Sequence, residues 1–341
     1  MNISRILLIV FTTFMFVALF MPIIKMIAKH IGAIDVPNKR KVHKKPIPRL
    51  GGLGIYLGFL LGYLLFGHES IQMNSILIGS FIIVLVGIID DINPIKARYK
   101  LIGQTIGASI VPIFGNILLK DISAFGIYIN FGYFSYIITI LFIVGIINCI
   151  NLIDGLDGLA GGLSAIYFIM IGVVAILFKN SSGLDTILTF IMLGTTLGFL
   201  VHNFNPASVF MGDSGSMFLG YIIAIISLLG YKNVTFTSLI VPIFLIAIPI
   251  MDTLFAIVRR LLKHEPIMKP DKSHLHHQLL KLNFSVRTTV LIIYFVDILF
   301  AIASIIYVFN NQLYGIIIYI ILFILVLILI IKTDIIHNRN N

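Results

Sequence analysis

Long apolar segments alternate with short polar ones along nearly the whole 341-residue chain. A helix that crosses a membrane needs about 20 apolar residues in succession. The pattern therefore predicts an all-α, polytopic integral membrane protein, organised as a single transmembrane domain over residues 1–341. We predict about eleven spans, near residues 3–24, 51–67, 74–90, 101–119, 133–150, 159–178, 184–201, 215–230, 236–258, 288–308 and 312–331.

Composition supports this interpretation, because 59% of the residues are hydrophobic and only 11% are charged. Such a chain is too apolar for an ordinary cytosolic enzyme, a disordered protein or a disulfide scaffold. The single cysteine, Cys149, cannot form an internal disulfide and lies in an apolar run. The first apolar segment lacks a small-x-small cleavage site and is predicted to be a retained anchor rather than a signal peptide.

The distribution of cations predicts the orientation. Alternating connections divide the 24 Lys and Arg residues into 20 on one side and 4 on the other. Cytoplasmic loops carry the excess of Lys and Arg, which places the N-terminus outside and the C-terminus in the cytoplasm. The expected cytoplasmic loops are about 25–50, 91–100, 151–158, 202–214 and 259–287. We expect no nucleic-acid partner, and the oligomeric state stays open.

Carboxylates cluster at the cytoplasmic ends of the predicted spans. Asp90 and Asp91 end one span, where acids oppose the helix dipole and need a compensating partner. A solvated helix end is the alternative. Lys100 lies nearby and could hold a phosphate group, or could simply be part of the positive-inside signal.

The segment NCINLIDGLDGL, residues 148–159, places Asn148, Asn151, Asp154 and Asp157 three residues apart. Side chains at this spacing share one face of a helix, and in a loop the interleaved glycines would let the backbone approach a ligand. No Lys or Arg in the segment neutralises the two acids, so a divalent cation is the expected counter-charge. A purely structural polar turn is the alternative.

Two further segments carry candidate chemistry. Asp213 opens a span in the setting FMGDSGS and could bind a ligand or act as an N-cap. Phe210 could stack on a planar ring or anchor the chain at the membrane interface. His274, His276 and His277 lie within four positions of a basic loop, where phosphate or sugar recognition fits better than zinc.

Together these motifs resemble the polyprenyl-phosphate N-acetylhexosamine-1-phosphate transferases, over about residues 35–280. The residues that carry the resemblance are DVPNKRKVHKKPIPRLGG, DDINPIKARYKLIGQ, NCINLIDGLDGLAGG with HNFNPASVFMGDSGS, and DKSHLHHQL. The closest branch looks like the bacterial undecaprenyl-phosphate GlcNAc-1-phosphate transferases of teichoic acid and cell-surface polysaccharide synthesis. The resemblance implies transfer of a sugar 1-phosphate from a UDP-N-acetylhexosamine to undecaprenyl phosphate at the cytoplasmic membrane. UMP is released, and Mg²⁺, or alternatively Mn²⁺, is required.

The resemblance also implies roles for individual residues. Metal ligands are expected at Asp213 and Asn151, and the uracil is expected to stack on Phe210 and hydrogen-bond Asp157. The other substrate-binding residues are expected to be the three histidines and Arg49. The catalytic group comprises Asp90, Asp91, Asp154 and Lys100, with Lys100 steadying a phosphate and Asp90 preparing the lipid phosphate. A one-step attack is favoured, and a two-step route with an Asp as covalent nucleophile stays open.

Two alternatives remain at this stage. Phospho-MurNAc-pentapeptide translocase shares the acidic motifs, although the first and last loops here are closer to the GlcNAc-type branch. A secondary transporter of an anionic solute would also carry charges near helix breaks, but its charges would lie near the bilayer midplane rather than at one face.

Overall fold

A computed structural model describes residues 1–37, 45–124, 127–177, 183–232, 239–266, 274–309 and 312–332. Parts of two predicted motifs, residues 38–44 and 267–273, lie outside the described residues. The helices are α1 Ile3–His30, α2 Gly51–Phe66, α3 Ile71–Ile92, α4 Ala97–Phe114, α5 Ser135–Ile153, α6 Leu159–Leu177, α7 Leu184–Asn203, α8 Gly212–Lys232, α9 Ile240–Phe244, α10 Ala247–Leu262, α11 Leu275–Lys281, α12 Val286–Phe309 and α13 Gln312–Lys332.

The protein is an all-α, multi-pass membrane protein. Seven helices in the described part of the chain are long and apolar enough to span a bilayer, namely α1, α3, α5 with the 3-10 turn before it, α6, α7, α8 and α12. Two shorter apolar helices, α2 and α13, add to this set. The count of eleven crossings stays a prediction.

One predicted span is wrong as a single helix. The segment 236–258 was expected to cross the membrane without a break, but it contains two helices, α9 and α10, with a turn between them. Pro249 lies in the first turn of α10, and its ring would collide with the carbonyl of Leu245 if the helix continued backwards. α10 also extends beyond the predicted end, to Leu262, so that it includes Arg259 and Arg260.

The helix α8 forms the centre of the bundle. Within its apolar stretch 89% of the residues are buried, compared with 28% for α1, which faces the surroundings. Glycines permit this close packing. A methyl group on Gly52 of α2 would lie 2.0 Å from the backbone nitrogen of Gly215, and one on Gly87 of α3 would lie 2.3 Å from Cα of Ser214. The start of α8 is thus held between α2 and α3.

Two small antiparallel hairpins complete the described structure. Strands β1, Ile34–Asp35, and β2, Ile47–Pro48, pair on the predicted inner side. Strands β3, Asp121–Ala124, and β4, Ile127–Asn130, form a hairpin in the connection between α4 and α5.

Candidate active site

A cleft of about 930 Å³ lies where several helix ends meet on one side of the bundle. Its walls come from the end of α1, from β2, from the start of α4, from the end of α5 and from the loop between α7 and α8. The residues singled out in the sequence that line it are Arg49, Lys100, Asn151, Asp154, Asp157, Phe210, Asp213 and His277. The structure therefore brings together motifs that are up to 228 positions apart in the chain, from Arg49 to His277.

Backbone hydrogen bonds join β2 to the loop that precedes α8. The amide of Phe210 donates to the carbonyl of Pro48 at 2.8 Å, and the amide of Gly51 donates to the carbonyl of Phe210 at 2.9 Å. Arg49 pairs with Phe210 in a parallel bridge. This pairing fixes Arg49 beside the loop although the two segments are distant in sequence.

Asp91 holds the N-terminus of α8. Its carboxylate accepts hydrogen bonds from the amides of Asp213 at 2.8 Å and Ser214 at 3.1 Å, and from the Ser214 hydroxyl at 2.6 Å. These amides are among the donors that a helix leaves unsatisfied at its start. Gly212 permits the approach, because it has a φ of +71° and a methyl group there would lie 2.4 Å from the Asp91 carboxylate.

Five side chains form an ion-pair network, which we call the ion-paired wall: Arg49, Asp90, Asp91, Lys100 and Asp213. The ammonium of Lys100 lies 2.7 Å from Asp213 Oδ2 and 3.0 Å from Asp90 Oδ2. The guanidinium of Arg49 lies 3.2 Å from Asp91 Oδ1 and 3.4 Å from Asp213 Oδ1. Burial lowers the pKa of Arg49, but Asp91 and Asp213 outweigh that effect and raise it, so this cation is permanent.

Asp90 and Asp91 themselves are buried and do not line the cleft. Asp91 has no exposed side-chain surface, and only 5% of the Asp90 side chain is exposed. Both acids therefore act on the cleft through neighbours: Asp90 through Lys100, and Asp91 through Arg49 and α8. This arrangement also explains how two acids are tolerated at the end of α3, since cations and amides compensate them.

The acidic loop, residues 154–158, lines the same cleft through its first four residues. Asp157 Oδ2 accepts hydrogen bonds from Asn205 Nδ2 at 2.9 Å and from the amide of Ala207 at 3.0 Å. Burial, together with the charge of Asp213 and only partly offset by Arg49, raises the pKa of Asp154 to about 7. Among the described residues, neither Asp154 nor Asp157 has a cation within ion-pair distance.

The cleft offers oxygen ligands that suit magnesium. Asn151 donates from Nδ2 to the Ser216 hydroxyl at 2.9 Å, which leaves its amide oxygen as a potential ligand beside Asp154 and Asp213. Within the described ranges no three His, Cys, Asp or Glu side chains are grouped closely enough to hold a metal alone. Mg²⁺ commonly binds through one or two carboxylates and substrate phosphates, so the residues present fit this ion.

The rings of the three histidines lie side by side, with centroids 5.8 Å apart for His274 and His276 and 4.3 Å apart for His276 and His277, but their surroundings differ. His274 is buried and lies 2.8 Å from Asp252, whose carboxylate also accepts a hydrogen bond from the amide of Leu275. His276 is buried, and its ring nitrogens make no hydrogen bond with any residue that the structure describes. A methyl group on Gly155 would lie 2.3 Å from His276 Nε2, so this ring packs against the acidic loop. Of the three, only His277 lines the cleft.

Burial determines the protonation state of His276. Loss of water around the ring, reinforced by His277 and only partly opposed by Asp252, lowers the pKa of His276 to about 3. The ring is therefore neutral under ordinary conditions. The ring is placed to support the acidic loop. Of the three histidines His277 lines the cleft, and direct contact of any of them with the donor stays a prediction.

Sequence reasoning did not single out Lys25 as a residue of the cleft. Lys25 of α1 also lines the cleft and contacts His202 and Ser208. From the sequence alone, Lys25 belongs to the cations that indicate a cytoplasmic loop or a lipid headgroup patch. In the structure Lys25 is partly buried, whereas Lys29 on the same helix is exposed. This difference in burial is not visible in the sequence.

Comparison with known proteins identifies the family. The model of a family described as glycosyl transferase family 4 matches residues 73–231. The chain is 42% identical to the "Probable undecaprenyl-phosphate N-acetylglucosaminyl 1-phosphate transferase" of Bacillus subtilis (strain 168), with 84% of this chain and 80% of the relative covered. It is 33% identical to the decaprenyl-phosphate N-acetylglucosaminephosphotransferase of Mycobacterium tuberculosis (strain ATCC 25618 / H37Rv), with 80% and 74% covered. A third relative, the undecaprenyl-phosphate alpha-N-acetylglucosaminyl 1-phosphate transferase of Escherichia coli (strain K12), is 28% identical, with 82% and 78% covered.

The chain therefore belongs to glycosyl transferase family 4. The family assignment agrees with the resemblance inferred from the four motifs. All four motifs contribute described residues to the cleft or its support.

Proposed function

We propose that this protein transfers GlcNAc-1-phosphate from UDP-GlcNAc to undecaprenyl phosphate and releases UMP. One observation carries the proposal: Arg49, Lys100 and Asp213 of the ion-paired wall line the same cleft as the acidic loop. Two polyanionic substrates must meet in this reaction, and an array of fixed cations beside carboxylates that bind metal suits that task. The names of the relatives supply the sugar and the lipid.

Magnesium would be held by Asp213 and Asn151, with Asp154 adjacent. When bound, the ion supplies positive charge that offsets the diphosphate and steadies the leaving group. Asp213 has two carboxylate oxygens, and each can accept more than the one contact that Lys100 or Arg49 makes. The wall therefore keeps Asp213 in a fixed orientation and leaves lone pairs for the ion.

The donor nucleotide would bind between the acidic loop and Phe210. Phe210 offers a ring for stacking on uracil, and Asp157 offers a carboxylate that Asn205 and Ala207 hold in position. Arg49 and Lys100 would contact phosphate oxygens. His277, which lies at the cleft, is assigned direct donor contact, whereas His274 and His276 support the loop.

In the proposed chemical step, an oxygen of the lipid phosphate attacks the phosphorus that carries the sugar. A bond from that oxygen to phosphorus forms, the bond to the bridging oxygen breaks, and UMP leaves with the electron pair. A dianionic lipid phosphate needs no base, and a monoprotonated one must lose a proton. Lys100 lies between Asp90 and the cleft, so we propose that the main role of Asp90 is to orient Lys100. Asp90 could act as a base only if Lys100 moved.

We further propose that the cleft faces the cytoplasm of a cell that carries the protein in its cytoplasmic membrane. The support is the ratio of 20 to 4 in the placement of Lys and Arg, with eleven crossings and the N-terminus outside. A reporter fused after residue 341 should behave as cytoplasmic. An external reporter would contradict both the number of crossings and the orientation.

Initiation of teichoic acid or another cell-surface polysaccharide is the pathway that we propose.

The decisive experiment measures UMP. Purified protein is incubated with Mg²⁺, undecaprenyl phosphate and either UDP-GlcNAc or UDP-MurNAc-pentapeptide. We expect rapid UMP release with UDP-GlcNAc and far slower release with the muramyl donor. The reverse preference would assign the protein to the translocase branch, and solute movement without UMP release would favour a transporter. Chelation of Mg²⁺ is the control for metal dependence.

A further inference from the structure

Lys25 lies at the inner end of α1 and makes two contacts that no other cation of that helix makes among the described residues. Its ammonium lies 2.7 Å from the Ser208 hydroxyl and 3.1 Å from His202 Nδ1. On the other side of the ring, His202 Nε2 lies 2.9 Å from the carbonyl of Ala18. Lys25 therefore connects α1 to the last turn of α7 and to the loop that follows it.

The direction of each hydrogen bond follows from what each group is able to donate. An ammonium only donates, so His202 Nδ1 must accept from Lys25. The hydrogen of the neutral ring is then on Nε2, which donates to Ala18. The Ser208 hydroxyl accepts from Lys25 and donates to the carbonyl of His202 at 2.9 Å. Both ring nitrogens of His202 and the Ser208 hydroxyl thus have partners, and these contacts are consistent with one direction of each hydrogen bond only.

The network rests on a rigid part of the bundle. α1 and α7 pack through glycines: a methyl group on Gly198 would lie 2.6 Å from the carbonyl of Phe14, and one on Gly194 would lie 2.0 Å from the Thr13 hydroxyl. The backbones of the two helices therefore have little freedom to shift against each other. Because α1 is fixed against α7, the contact between Lys25 and Ser208 restrains the loop.

The loop that Lys25 reaches carries the nucleotide-binding groups. Asn205 and Ala207, which hold Asp157, precede Ser208, and Phe210 follows it two residues later. The loop is thus held at three points. Asn205 and Ala207 bind Asp157, the backbone of Phe210 pairs with β2, and Lys25 binds Ser208 between them. Removing the middle contact should loosen the residues on both sides of it.

We propose that Lys25 is a positioning residue that sets donor affinity by fixing the loop at Ser208. The inference rests on the proposed function, because the affected quantity is the binding of a uridine nucleotide. Lys25 does not need to contact the nucleotide for this effect.

Lys29 provides the comparison that separates position from charge. It lies one helical turn beyond Lys25, also borders the cleft, and is exposed. Within the part of the chain that the structure describes, Lys29 makes no hydrogen bond or ion pair. Substitution of either lysine by Met removes one positive charge from the same side of the cleft, but only the change at Lys25 removes a structural contact.

The test measures UMP release by wild type, Lys25→Met, Lys29→Met, Ser208→Ala and the Lys25→Met/Ser208→Ala double variant. Lys25→Met should raise the KM for UDP-GlcNAc about tenfold, as expected for one lost hydrogen bond to a charged group. The kcat and the KM for undecaprenyl phosphate should change by less than about threefold, and Lys29→Met should have a smaller effect on donor KM. Lys25→Gln, which keeps a donor, should recover part of the affinity.

The double variant tests the contact itself. Because Lys25 and Ser208 act as one unit, the effects of the two substitutions should fall well short of additive. Additive effects, an equal effect of Lys29→Met, or a change confined to the lipid KM would each overturn the proposal. A variant that melts at a much lower temperature is replaced in the comparison by Lys25→Gln. Absence of UMP release by the wild type would contradict the proposed function instead, whereas an active wild type and an unchanged KM for UDP-GlcNAc in Lys25→Met would contradict only the role of Lys25.

Discussion

The ion-paired wall and the acidic loop contain carboxylates in nearly opposite electrostatic states. In the wall, Asp90, Asp91 and Asp213 share the cations of Arg49 and Lys100. In the acidic loop, Asp154 and Asp157 have no such cation among the described residues, and the pKa of Asp154 is raised by its burial and by Asp213. Each acid of the wall has a cation partner without a ligand, whereas Asp154 gains one only when a cation arrives.

This difference indicates how binding and catalysis are divided between the two regions. A balanced network is rigid before substrates arrive, and fixed charges stabilise a transition state best when they do not need to reorganise. An unbalanced acid favours the binding of a cation, because the cation relieves its repulsion. We therefore expect substitutions in the wall to affect turnover and folding most, and substitutions in the acidic loop to affect ligand affinity.

Asp213 should give the largest effect, because it belongs to the wall and also faces the acidic loop. Asp213→Asn removes a charged ligand for Mg²⁺ and leaves Lys100 and Arg49 without their shared partner. We expect turnover to fall on the order of a thousandfold or more, corresponding to several kcal/mol of lost transition-state stabilisation. The rate of UMP release by this variant at saturating Mg²⁺ measures the loss of turnover. Near-normal activity of this variant at low Mg²⁺ would show that Asp213 does not bind the ion.

Asp91 should affect folding more than its neighbour Asp90. Asp91→Asn weakens the acceptor for the N-terminus of α8 and removes a buried counter-charge of Arg49. We expect the free energy of unfolding to fall by about 2 kcal/mol. Asp90→Asn is the matched control, since the adjacent acid is equally buried but contacts Lys100 instead. Thermal melting in detergent should show the greater loss for Asp91→Asn. Equal melting temperatures would contradict the capping role of Asp91.

Asp154 should affect the metal requirement. Asp154→Asn removes a negative charge beside the proposed ion, so the Mg²⁺ concentration for half-maximal activity should rise about tenfold. In the wild type this concentration should also rise as the pH falls below about 7, because protons compete with the ion for this carboxylate. Asp157→Asn is the comparison and should raise the donor KM instead. A pH-independent metal requirement in the wild type would contradict this assignment.

Most of the helices could be predicted from the sequence, because the length and polarity of each segment are local properties. The break between α9 and α10 was missed although its cause, Pro249, is visible in the sequence. A proline near the end of a long apolar run is also tolerated inside membrane helices, so its presence alone did not require a break.

The candidate site was predictable in its residue types but not in its contacts. The clustering of acids at the ends of predicted spans indicated residues that the fold brings to one cleft or to its immediate support. The capping of α8 by Asp91, however, joins residues more than 120 positions apart, and the contact of Lys25 with Ser208 spans 183 positions. No local pattern encodes such pairs. The three adjacent histidines looked equivalent for the same reason, although the fold gives each of them different surroundings.

The smallest predicted effect concerns His276, which supports the acidic loop but not the wall. Its pKa of about 3 lies well below the value of about 6.5 expected in an unfolded chain. Between these two values the unfolded chain binds a proton that the folded protein does not bind, so stability rises with pH in this window. The contribution of the neutral ring is therefore present above pH 6.5 and is lost as the pH falls toward 3.

Melting temperatures of wild type and His276→Gln at pH 7.5 and pH 5.0 measure this effect. We expect acidification to cost the wild type on the order of 1 kcal/mol more than it costs the Gln variant, whose side chain does not titrate. His68→Gln, at a solvent-exposed position, controls for the loss of a histidine as such. If both variants and the wild type lose the same stability on acidification, the neutral buried ring of His276 does not support the acidic loop.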